Sequence, residues 1–192
     1  MFNLTTKNKT LGFITNLRIK LGQRLLKKEA AKLHRNRKAV NLEATREIGI
    51  LFHMQSEADY DRVSRFSREL QEVGKRVQVI GFYDYRKLPP YYAQKLAYDI
   101  ILPGHLDIFY RPKVDFVAKF IDYEFDMLID LATSDDFPLH YIATLSKAGF
   151  KLGRSSGEEG LPFDLMIETH DLIESDELIR QLVHYTSVFK LQ

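Results

Sequence analysis

Two short apolar runs separated by one amphipathic stretch restrict this chain to few folds. Glu47-Ile-Gly-Ile-Leu-Phe-His53 and Arg76-Val-Gln-Val-Ile-Gly-Phe-Tyr83 have the length and near-continuous apolar character of strands buried on both faces. Between them, Ser56 followed three residues later by Asp59 opens a helix. The expected helix runs to Val73, with Val63, Phe66, Leu70 and Val73 on one face, and Gly74 stops it. A strand, a helix of this length and a second strand make a parallel crossover.

The same alternation continues to the end of the chain. Asp99-Ile-Ile-Leu102, Phe125 to Leu131, Phe150 to Gly153 and Phe163 to Glu168 read as further strands. Leu88-Pro-Pro90 breaks the chain before a helical turn at Tyr91 to Leu96. A helix over 114–121 should turn Phe116, Val117, Phe120 and Ile121 inward. Asp136 or Ser134 should cap another helix through Ser146, with Pro138 tolerated in its first turn. Ser175 opens a last helix with Leu178, Ile179, Leu182, Val183 and Val188 available for the core. The expected architecture is α/β and Rossmann-like. It is a mostly parallel sheet of five or six strands with helices on both faces, preceded by a basic N-terminal helix. Residues 1–39 form the basic helical arm and residues 40–192 the α/β domain.

The net charge of +2 conceals an asymmetry. Residues 1–38 carry eleven basic residues against Glu29 alone, a local charge of +10 that leaves −8 on the remainder. From Thr10 to Leu33 the arm has helical periodicity. Ile14, Leu17, Leu21 and Leu25 make one apolar stripe, and Ile19, Leu26, Ala30 and Leu33 make another. Gly22 weakens the middle by about 1 kcal/mol relative to Ala, so the helix should need something to pack against. The cations expected to contact phosphates without sequence readout are Arg18, Lys20, Arg24, Lys27, Lys28, Lys32, Arg35, Arg37 and Lys38. Three partners fit this charge: RNA or a ribosome, an anionic membrane surface, or the chain's own acidic body. The leading expectation is a non-catalytic binding protein for an anionic polymer such as RNA.

A second expectation concerns the carboxyl ends of the strands, where ligands bind in open α/β sheets. The segments there are His53 to Ser56, Tyr83-Asp84, Ala132 to Asp135, Gly153 to Gly157 and Glu168 to His170. Ser56, Asp130, Thr133, Ser134 and Arg154, with Ser155 and Ser156 nearby, are the candidate contacts for a phosphorylated or nucleotide-sugar ligand. Asp126 should lie at the amino end of its strand and Asp130 at the carboxyl end, where bonding to loop backbone is its ordinary role.

Several chemistries find no support. The chain has no cysteine, which excludes disulfides and thiolate sites. No Gly-x-Gly-x-x-Gly follows the first strand and no Walker lysine motif occurs, so no cofactor is expected. The six histidines show no His-x-x-x-His spacing, and Glu168-x-His170-Asp171 is too sparse to read as ligands, so no metal is expected. Without a Gly-x-Ser-x-Gly elbow, no catalytic residue is assigned. No signal-peptide pattern or run of about 20 apolar residues appears, and a cytoplasmic protein is expected.

Ile48-Gly-Ile-Leu-Phe52, Phe125 to Leu131, Phe137-Pro-Leu-His-Tyr-Ile-Ala-Thr-Leu-Ser-Lys-Ala148, Phe150 to Arg154 and the Arg35-Asn-Arg-Lys38 element resemble a family of small uncharacterised proteins from Bacteroidota. That resemblance spans most of the chain and implies a cytoplasmic bacterial protein, with no activity to transfer. The Phe-Asp-x-Leu-Ile-Asp-Leu strand, followed by a helix and a short strand, is also similar to the N-terminal half of heptosyltransferase-type glycosyltransferases. That likeness implies a fold only, since those enzymes hold the sugar nucleotide mainly in a second domain.

Overall fold

Six strands lie in one sheet, and their burial shows why the apolar runs are nearly continuous. The computed structural model describes residues 4–93, 98–134, 136–155, 161–168 and 175–188, with first-helix side chains from Ile14 onward. The elements are α1 (Leu4–Ala30), β1 (Glu47–His53), α2 (Glu57–Glu72), β2 (Arg76–Phe82), α3 (Pro90–Ala93), β3 (Asp99–Ile101), α4 (Asp115–Asp122), β4 (Met127–Asp130), α5 (Phe137–Leu145), β5 (Phe150–Ser155), β6 (Leu165–Glu168) and α6 (Ser175–Val188). The strand order is β3-β2-β1-β4-β5-β6, and every pairing is parallel. The sheet is Rossmann-like, and its direction of growth reverses between β1 and β4.

Alternate residues of each strand feed two cores. Ile48, Ile50 and Phe52 of β1 and Met127 and Ile129 of β4 pack with Tyr60, Val63, Phe66 and Leu70 of α2 and Leu178 and Leu182 of α6. Leu51, Ile80 and Leu128 pack on the opposite face with Val117 and Phe120 of α4 and Leu139, Ile142 and Ala143 of α5. Phe116 and Ile121 are only partly buried, at the edge of that second core. Both faces are covered, so an alternating polar pattern would place uncompensated polar groups in a core.

Two local expectations change. Val73 is 69% exposed. The helix ends at Glu72, Val73 is its C-cap, and Gly74 at φ +82 turns the chain away. Asp136 occupies the N-cap position of α5 with Pro138 in the first turn, but its side chain makes no capping bond. Ser56 does cap α2, in a reciprocal box with Asp59.

The basic helix docks on α5. Of its two apolar stripes the second is used: Leu26 is buried and Ile19, Ala30 and Leu33 are half-buried. Glu29, the single acid of the arm, accepts from Arg111 at 2.9 Å and from the Tyr141 hydroxyl at 3.0 Å. Gly22 lies at the closest approach, where an added Cβ would sit 2.2 Å from the Phe109 carbonyl oxygen and 2.7 Å from the Phe137 ring. Its cost in helix propensity therefore permits contact between backbones. Beyond α1, an extended strap reaches the start of β5, where the Lys38 amide donates to the Gly149 carbonyl at 3.0 Å.

Candidate functional site

At the carboxyl end of β1, next to the reversal of strand order, three sequence-distant side chains converge. His53 ends β1, Asp84 follows β2 and Asp136 precedes α5. His53 Nδ1 lies 2.7 Å from Asp136 Oδ2, and its Nε2 lies 3.3 Å from Asp84 Oδ2. The Ser134 hydroxyl donates to the same Asp136 oxygen at 2.6 Å and lies 2.8 Å from His53 Nδ1. The Asp136 carboxylate is thus turned toward the histidine instead of the helix N-terminus. The capping bond is replaced by the contact with His53.

The electrostatics follow from the pairing. Burial works against a charged imidazole, but the hydrogen bond and charge of Asp136, with the charge of Asp84, outweigh it and raise the His53 pKa. Burial likewise opposes the Asp136 carboxylate, and the hydrogen bonds from His53 and Ser134 outweigh that and hold it below the usual range. Ser134 shares Nδ1 with Asp136 and donates its own proton to that carboxylate, whereas a nucleophilic serine directs its proton to the ring.

Beside it a cavity of about 200 Å³ opens between the ends of β4 and β5 and the docked α1. Its walls include Asp130, Ser134, Asp136, Arg154, Ile19 and Gln23. Three of the five rim residues expected from sequence, Asp130, Ser134 and Arg154, meet here. Ser56 caps α2, and Thr133 is half-buried outside the cavity wall. Asp130 is buried and accepts from the Ala132 amide at 2.9 Å, the ordinary loop-bonding role. Asp126 accepts from the Arg46 and Glu47 amides at the amino end of the sheet. Asp135, Ser156, His170 and Asp171 lie outside the described residues. The cavity is smaller than the roughly 300–1,000 Å³ of ordinary ligand pockets, so a phosphate-sized group matches it better than a nucleotide sugar.

The nine arm cations expected to contact phosphates divide into two sets. Arg35 turns down onto Asp164 in a two-pronged pair with both N···O distances 2.6 Å, and it also donates to the Ala148 and Gly149 carbonyls. Arg18 donates to the Ile108 carbonyl at 2.6 Å and lies over the Tyr110 ring. The Arg35 guanidinium does not face outward as the sequence suggested, while Arg18 is half-buried and held against the loop at Ile108. Lys20, Arg24, Lys27, Lys28, Lys32, Arg37 and Lys38 are exposed, and Arg37 reaches Asp164 only at 3.8 Å. Helical spacing puts Lys20, Arg24, Lys27 and Lys28 on the side of α1 opposite Gly22 and Leu26, a row about 12 Å long at 1.5 Å per residue. None of these four pairs with a carboxylate among the described residues. Beside the row, Ile14 and Leu17 are each 50% exposed and Leu21 is 37% exposed.

A model of a family of unknown function, DUF6913, matches residues 18–189. The chain belongs to that family. No curated protein matches it. The DUF6913 match takes in the docked part of α1 and every strand, so the arm and sheet are covered together. Among the described residues, no helix is long and apolar enough to cross a membrane.

Proposed function

We propose that this DUF6913 protein is a non-catalytic binding protein that engages RNA, free or in a ribosome, through the outer face of α1. The observation that carries this reading is the row Lys20, Arg24, Lys27 and Lys28. It stands exposed on a helix whose single acid is already committed to docking. Docking matters because a preformed row loses less conformational freedom on binding than a mobile tail. Lys32, Arg37 and Lys38 extend the basic surface past the helix end. The contacts would be to phosphates, with no base readout. The reading places the protein in the cytoplasm of a bacterial cell.

A salt titration of single-stranded RNA binding tests it. Four phosphate contacts predict a log–log slope of about −3 at roughly −0.7 per contact. Replacing Lys20, Arg24, Lys27 and Lys28 together with Gln should remove most of that slope. Equal affinity and equal slope in the substituted protein would sink the reading.

The exposed Ile14, Leu17 and Leu21 favour a second reading, an anionic membrane surface into which that stripe dips while the cations meet headgroups. Flotation with anionic and neutral liposomes separates the two. Leu17→Ser with Leu21→Ser should abolish lipid binding and leave RNA binding intact. The meeting of Asp130, Ser134 and Arg154 in one cavity supports a third reading, an enzyme or sensor for a small phosphorylated ligand. A thermal-shift screen with sugar phosphates and nucleotides checks it.

A further inference from the structure

The cluster at the end of β1 has a donor set and a spacing that the RNA reading leaves unused. One imidazole and two carboxylates place their ligand-type atoms within 4.8 Å of one another. Imidazole with carboxylate is the donor mix of zinc and of the neighbouring divalent transition metals. Hydrogen bonding alone accounts well for one half of the cluster. The 2.7 Å contact between His53 Nδ1 and Asp136 is a short charge-assisted bond.

The other half has a different spacing. Metal bonds of about 2.0–2.1 Å at tetrahedral angles hold neighbouring ligand atoms about 3.3 Å apart. His53 Nε2 and Asp84 Oδ2 are 3.3 Å apart. The Asp84 side chain is 58% exposed while that of His53 is 6% exposed, so the pair has one anchored donor and one donor open to solvent. On the far side of the ring, the Asp136 carboxylate accepts from Nδ1–H and is itself held by Ser134. Carboxylate behind histidine is the arrangement that fixes the tautomer and orientation of a metal-binding imidazole.

We infer that His53 Nε2 and Asp84 bind a divalent transition-metal ion at the reversal point of the sheet, with Asp136 positioning the histidine and water completing the coordination. Two protein ligands leave the remaining positions open to solvent or to a small anion. The site involves none of the arm's cations, so it stands or falls separately from RNA binding.

Cobalt(II) is the probe. The full-length protein, without RNA, is titrated with cobalt chloride and followed by visible absorption, then back-titrated with zinc. The expected result is one equivalent of bound cobalt, displaced by zinc. Asp84→Asn, at an exposed position with little bearing on the fold, should weaken binding at least tenfold. Asp136→Asn should weaken it about 10- to 100-fold by releasing the ring. Unaltered circular dichroism in both variants shows that the fold is intact. No spectral change in the parent protein, several equivalents bound alike in all variants, or undiminished affinity in Asp84→Asn would each overturn the assignment.

Discussion

The two ends of the sheet each hold an ionic cluster, and the two differ in what fills their bonding capacity. At the amino ends of β5 and β6, Asp164 receives both prongs of Arg35 and the Lys151 amide at 2.8 Å. Arg35 and Asp164 have side chains only 7% and 13% exposed. Burial opposes the Asp164 charge, and the bonds from Arg35 and Lys151 more than offset it, leaving the carboxyl below its usual range. Nearby, the buried Lys151 ammonium donates to the Ala143 and Thr144 carbonyls at the end of α5, a satisfied helix terminus. At the carboxyl end, His53 is equally enclosed, but its partner Asp84 faces solvent and a cavity adjoins Asp136. A cluster whose donors are filled by the chain itself locks the strap and β6 together. A cluster with one member facing outward keeps bonding capacity for something else.

That contrast can be broken in four places. Arg35→Ala leaves Asp164 buried without its partner, and removing one member of a buried pair costs about 3–5 kcal/mol. Urea denaturation should show a loss of that size, with cobalt binding unchanged. A loss below about 1 kcal/mol would make the two ends energetically alike.

Lys151 gives the next largest effect, and its sign depends on pH. Burial first, and then the Arg35 charge, lower its pKa to about 7. The unfolded chain holds this proton up to the ordinary lysine value, so between pH 7 and about 10.4 it binds more protons than the folded chain. Stability should therefore rise with pH across that window, by at most about 4.6 kcal/mol at 1.36 kcal/mol per unit. Lys151→Met should flatten that rise, read as denaturation midpoints at pH 6.5, 8 and 9.5.

Gly22→Val tests whether the arm belongs to the body. Forcing a side chain against the Phe109 carbonyl and the Phe137 ring should cost about 1–3 kcal/mol. Trypsin should then cut within α1 faster than in the parent protein. Unchanged cleavage would mean that α1 already opens freely. The smallest effect belongs to Asp84→Asn, where an exposed partner should alter stability by less than about 0.5 kcal/mol. Thermal melts check it, and a larger loss would mean that Asp84 is structural in the same sense as Asp164.

Much of the architecture was readable from periodicity. β1 and β2 match their apolar runs, and Ser56 caps α2 as its spacing with Asp59 required. The rim was readable only as segments, because His53 and Asp84 sit at strand ends that any parallel sheet would bring to one edge. Asp136 looked like an ordinary cap, since its Ser-Asp-Asp context satisfies the capping preference. Only the proximity of β1 to the start of α5 redirects it.

By itself the amino-acid sequence determined the alternation of strands and helices, the burial of the sheet on both faces, and the separation of a +10 arm from a −8 body. These follow from spacing and sign along the chain, which folding does not alter. The tertiary structure decided which stripe of α1 is covered, which cations turn inward and which three side chains meet at the end of β1. Those outcomes depend on strand order and on close approach at Gly22. Both bring together residues far apart in sequence, a relation that no local pattern encodes.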